Sequence, residues 1–143
     1  MGFRADVRAA AADLLTAYAA SVNVRLQVYP ARPRSIAPPT AFVDGIRDSI
    51  EHVGITLRQR KPIADVIVVH GVFDSLEAAT QADAFVDGFL DWVAVNYHAA
   101  GANTLVAVTD TEDLPEWVPT WMPPAQQVVY YATRIAMEGY AES

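Results

Sequence analysis

Apolar residues recur at intervals of three and four between Ser75 and Ala100, where Ala78, Ala82, Phe85, Phe89, Val93 and Tyr97 line one side of SLEAATQADAFVDGFLDWVAVNYHAA. That period predicts an amphipathic helix. Asp74 or Ser75 is its expected N-cap, Glu77 lies in the first turn, His98 in the last, and Gly101 supplies a left-handed stop. An alanine-rich first helix is predicted from Arg4 to Ala20, with Val7, Ala11, Leu14, Leu15 and Tyr18 on one side.

Elsewhere the period falls to two. Val24, Leu26 and Val28 alternate with Arg25 and Gln27 as a half-buried strand. Ala41 to Asp44 reads as a short strand bending at Gly45. In the segment from Ile55 to Arg60, Arg58 and Arg60 fall on the solvent-facing side. Ile63 to Phe73 is a nearly continuous apolar run, as central strands are. Lys61-Pro62 is expected to turn between these last two, making a hairpin from Thr56 to Val72 with a basic tip of Arg58, Arg60 and Lys61. Thr104 to Thr109 and Val128 to Met137 complete the strands, and EGYAES is a tail.

Two stretches follow neither period. YPARPRSIAPPT holds Pro30, Pro33, Pro38 and Pro39, which disfavour both helix and ladder and predict an ordered or extended loop. DTEDLPEWVPTWMPPAQ is acidic, proline-rich and carries Trp117 and Trp121. Tryptophans on a long loop predict a partner-contact surface, with packing onto the sheet as the second reading. The order of elements gives an α+β fold: a single domain with a mixed, mostly antiparallel sheet of about 4–5 strands and two helices packed on one face.

Composition narrows the function. A chain of 143 residues buries roughly 68% of its unfolded surface, enough for a core without staples. The absence of cysteine excludes disulfides, thiolate metal sites and a thiol nucleophile. A net charge of −7 disfavours non-specific DNA binding. No apolar run is long enough to span a membrane, and the N-terminus lacks the apolar region of a signal peptide, so synthesis in the cytoplasm is expected.

The charge is also uneven. From Arg25 to Lys61, seven bases (Arg25, Arg32, Arg34, Arg47, Arg58, Arg60, Lys61) face three acids (Asp44, Asp48, Glu51), for +4; from Pro62 onward Arg134 is the one base against twelve acids, for −11. Asp83, Asp87 and Asp91 recur every four residues as an acidic stripe on the second helix. Such segregation is either a solvated surface or a means of steering copies of the chain together.

Candidate chemistry is sparse. Glycines do not stand in phosphate-loop spacing, and His52, His70 and His98 lack paired-ligand spacing. No serine sits in a nucleophile elbow. An aspartate ladder for a divalent metal would need a second acidic cluster facing it. His70, within the central strand, is expected as a buried or half-buried histidine with one hydrogen bond. No catalytic, cofactor or metal site is expected.

The segments VRLQVYPARPRSIAPPTAFV, ITLRQRKPIADVIVVHGV, DSLEAATQADAFVDGFLDWV and VVYYATRIAMEG, taken in order behind a short amphipathic helix, resemble the tail terminator (tail-completion) proteins of long-tailed bacteriophages. The resemblance implies a structural virion protein without catalysis or cofactor. It implies a homo-oligomeric ring, typically a hexamer, that caps the tail tube and joins it to the head-tail connector or neck protein, with DNA passing through the lumen. The expected location is the head-proximal end of the virion tail. Arg58, Arg60 and Lys61 would contact a neighbouring subunit or the tube protein, Asp83, Asp87 and Asp91 a neighbour or the lumen, and Trp117 and Trp121 a partner. Two alternatives stay open, a different neck adaptor and a small cellular α+β binding domain.

Overall fold

The computed structural model describes residues 3–53, 57–72, 76–96 and 104–141. Two helices, α1 (Phe3–Ser21) and α2 (Leu76–Asn96), accompany five strands: β1 (Gln27–Tyr29), β2 (Thr40–Val53), β3 (Leu57–Val72), β4 (Thr104–Trp117) and β5 (Tyr130–Ala141). The sheet runs β1-β2-β3-β5-β4, antiparallel except for β1, which lies parallel to β2. The fold is α+β, with both helices on one face of a five-stranded, mostly antiparallel sheet.

The helix face forms the larger core. Val7, Ala11, Leu14, Leu15 and Tyr18 of α1 and Phe89 and Val93 of α2 pack on Ala64, Val66 and Val68 of β3 and Ile135 and Met137 of β5. A Cβ at Gly139 would collide with Val7, so glycine is what lets α1 lie directly on β5. The alternate residues Ile67 and Val69 point to the opposite face, where they meet Phe42, Tyr130 and Ala132. Burial on both faces explains why β3 reads as an unbroken apolar run.

That second face is covered at one end by irregular chain. Tyr29 and Ile36, from β1 and the proline-rich loop, pack against it beside Leu114, Trp117 and Trp121. Trp121 Nε1 donates to Pro33 O at 3.0 Å, and the Arg32 guanidinium stacks 4.8 Å from the Trp121 ring centroid. The indole thus fastens the loop to the sheet through apolar area, a hydrogen bond and a cation–π contact.

Three expectations are corrected. Lys61-Pro62 does not turn: β3 runs through both residues, Lys61 pairing with Ser49 and Pro62 with Asp48, and the hairpin is β2–β3, closing beyond Val53 and Leu57. Proline is tolerated there because β5 joins β3 only from Ile63 onward. The acidic half of the tryptophan segment is strand, not loop, since β4 continues to Trp117 along the sheet's edge, where a register shift between Leu114 and Trp117 absorbs Pro115. Glu138 to Ala141, expected as tail, extends β5. The strand ends Ile55 and Thr56, the N-cap at Asp74 or Ser75, His98, the Gly101 stop and the last two residues lie outside the described residues.

Candidate functional site

Two features of the sheet could engage other molecules. The first is an arm. Six pairs of β2 and β3, from Asp48↔Pro62 to Val53↔Leu57, continue beyond Ile63, the last β3 residue paired with β5. At about 3.3 Å per residue the ribbon is roughly 20 Å long. On its other side β2 is paired with β1 only from Thr40 to Phe42, so among the described residues no strand flanks the arm. Arg4 of α1 holds its base, donating to Ile46 O at 2.6 Å and pairing with Asp48 at 3.6 Å.

The expected basic residues belong to this arm, though not all to its tip. Arg58 stands opposite His52 and Arg60 opposite Ile50, while Lys61 lies further in, 3.7 Å from Glu138 of β5. The side chains of Arg58 and Arg60 lie outside the described set. Ile50 of the arm is 53% exposed, unusual for an isoleucine in a strand.

The sheet order separates charge in part: Arg32 and Arg34, between β1 and β2, and Arg47 of β2 lie toward one edge, Arg58, Arg60 and Lys61 lie on β3, and β4, carrying the exposed Asp110, Glu112, Asp113 and Glu116, forms the other edge. Asp83, Asp87 and Asp91 are all exposed on α2. Trp117 and Trp121 are brought together, ring centroids 5.7 Å apart, but both also pack on Phe42 at 5.9 and 5.3 Å. Their role in holding the second face follows the packing reading.

Sequence reasoning missed an ion-pair ladder across that face. Arg47 pairs with Asp65 at 2.9 Å, and Arg134 reaches Asp65 at 3.4 Å, Glu112 at 2.7 Å and Asp110 at 3.5 Å. The hydrogen bond from Arg134 to Glu112 raises the guanidinium pKa further, despite opposing desolvation. The signal was faint: Arg134 is the single base after Pro62.

The second feature is a cavity of about 390 Å³ between the end of α1, α2 and the sheet, walled by Tyr18, Val24, Pro39 and Phe85, with His70 and Gln81 as polar members. His70 is the extra residue of a β3 bulge, between Val69↔Ala132 and Gly71↔Tyr131. Bulges re-aim side chains; here the imidazole is 6% exposed and packs edge-on to Phe85 at 5.8 Å. Its Nε2 lies 3.0 Å from Thr133 Oγ1, and Thr133 donates to Asp113 Oδ1 at 3.4 Å. Burial lowers the His70 pKa to about 4, against the opposing field of Asp83, so the ring is neutral at pH 7. Tyr131 nearby has a raised pKa, through burial first and then the charges of Asp113 and Asp83.

Among the described residues no cluster of three metal-ligating side chains occurs, and no helix is long and apolar enough to cross a membrane. No protein-family profile matches the chain, and no curated protein matches it significantly.

Proposed function

We propose that this chain is a tail terminator: a structural virion subunit that assembles head-to-tail into a ring, a hexamer by its resemblance, on the head-proximal end of a phage tail tube. The observation that carries the reading is the β2–β3 arm. A two-stranded ribbon, which is what the described strands make of the arm, is marginally stable in water by itself. An arm of this length with an exposed isoleucine is therefore suited to docking on another subunit.

Charge supports the same arrangement. A heterologous contact joins two different patches of each copy, and closed rings follow when the rotation closes. The arm carries Arg58, Arg60 and Lys61, while the far edge strand and α2 present acids. Complementary patches of this kind steer encounter and fix register. Joining tail to neck and letting DNA through the lumen belong to the same reading, and a net charge of −7 keeps passing phosphates from adhering.

The test is charge reversal. Arg58→Glu with Arg60→Glu should leave the far-UV circular dichroism and melting temperature of the subunit unchanged while abolishing ring assembly in the presence of tail tubes, measured by light scattering. Undiminished assembly of the folded double variant would remove the arm from the interface.

A further inference from the structure

The arm leaves the sheet at one end, and the cavity opens at the other. β3 runs from the arm to Val72, and Thr40, where β2 begins, pairs with Val69. Pro39, His70 and Tyr18, near the end of α1, therefore stand at the end opposite the arm, where the space of about 390 Å³ forms a cleft between α1 and α2.

The cleft is preformed and apolar. Tyr18 and Phe85 meet edge-on at 5.2 Å, the Tyr18 hydroxyl donating to Phe85 O at 3.4 Å, and together make one wall. Val22 and Val24 stand 46% and 39% exposed at its rim, and Ala84 of α2 is exposed beside them. An exposed apolar rim around a concave surface marks a place where a partner docks. Carboxylates flank it. The Tyr18 pKa is raised by burial first and then by the charge of Asp91, while Asp83 opposes the lowering that burial imposes on His70. Asp87 lies about one helical turn from each. Among the described residues no cationic side chain lines the cleft.

The arm carries the counterpart. Ile46 packs in the helix-side core, and side chains alternate along a strand, so Ile50 falls on that side of the ribbon. Register sets Arg60 opposite Ile50 and Arg58 opposite His52, which places both arginines on the same face. One face of the arm thus combines an isoleucine, 53% exposed, with two bases; the cleft combines apolar walls with a stripe of three acids.

We infer that the cleft between α1 and α2 receives the arm of a second copy of this chain, with Ile50 entering it and Arg58 and Arg60 set against Asp87 and Asp91. The inference rests on the head-to-tail reading above and adds to it the receiving surface, which is the cleft and not the β4 edge. Donor and acceptor lie at opposite ends of one sheet, so each copy gives its arm to one neighbour and takes the arm of the other. Apolar contact supplies affinity, and the charges set the register in which the arm enters.

Because the chain contains no cysteine, engineered thiols report this contact without background. Ile50→Cys and Ala84→Cys chains, each with a native circular dichroism spectrum, are mixed with tail tubes and oxidised. Disulfides form only where the two Cα atoms come within about 7 Å. The expected product is a crosslinked dimer from the mixture, none from either chain alone, and a ladder of multimers when both substitutions sit in one chain. Thr111→Cys, on β4, should give no crosslink in place of Ala84→Cys. In addition, Asp87→Lys with Asp91→Lys should restore the assembly lost with Arg58→Glu and Arg60→Glu when all four are combined. Rings without a crosslink between positions 50 and 84, a crosslink to position 111 instead, or a natively folded fourfold variant that fails to assemble would overturn the cleft as acceptor and leave the ring reading standing. Absence of rings with the unsubstituted chain would overturn both.

Discussion

Strands β2 and β3 build both the body of the sheet and the arm, and the two halves of the same hairpin live in different surroundings. In the body, β3 has β2 on one side, β5 on the other, helices above and the tryptophan cluster below. In the arm, it has β2 alone among the described strands. The change falls at Ile63. On the body side Ala64, Val66 and Val68 are completely buried; on the arm side Ile50 stands half in solvent. On the reading proposed above, the two-stranded arm is the part that meets another subunit.

The sharpest way to test that division is to damage the body. Phe89, fully buried, packs edge-on to Tyr18 at 5.4 Å and alongside Trp92. Phe89→Ala should cost about 3–5 kcal/mol, read from urea denaturation of the subunit. A loss below about 1 kcal/mol would mean that the helix layer is not what secures the body.

Acid should strain the body next. Because burial places the folded pKa of His70 at about 4, below the ordinary 6.5, the unfolded chain takes up the proton first. Stability from the neutral ring is complete above pH 6.5 and falls as the pH drops toward 4, by about 3 kcal/mol in all. Asp83 is the reason the pKa is not lower still, as it favours the charged ring, while among the described residues Asp113, Tyr131 and Tyr18 are further ionisable groups near this site. His70→Gln should flatten the denaturation free energy between pH 6.5 and 4.5; an unchanged slope would assign the acid sensitivity to other groups.

Trp121→Ala comes third. It removes a half-buried ring, a hydrogen bond to Pro33 and the stacking partner of Arg32, and should cost about 2 kcal/mol while freeing the proline loop to exchange its amide hydrogens faster. The smallest effect on the isolated subunit belongs to the arm. Ile50→Ser should change subunit stability by less than about 0.5 kcal/mol, yet weaken assembly measurably. A large fall in subunit stability would contradict the division between body and arm.

Much of this fold was legible along the chain, and the parts that were not have a common cause. Periodicity alone placed α1 and α2 to within a few residues, because each presents one apolar stripe to one layer. The run from Ile63 was legible as a central strand because both faces are covered. Pro62 and Pro115 misled for the same reason as each other: proline's missing N–H forbids a ladder only where a partner strand needs it, and neither register shifts nor unflanked stretches are visible before the sheet is assembled. The candidate residues divide likewise. Asp83, Asp87 and Asp91 could be placed on a helix face from spacing. The relation of His70 to Thr133 and Asp113, and of Arg134 to Asp65, joins strands distant in sequence and depends on register.

The central claim is that the arm joins copies of this chain in a ring on a tail tube. Electron microscopy of phage tail tubes incubated with the purified protein tests it most directly. The expected images show a ring of density at one end of each tube and none along its sides, lost with the Arg58→Glu, Arg60→Glu variant. Bare tube ends at saturating protein, with the chain remaining monomeric by mass, would contradict it.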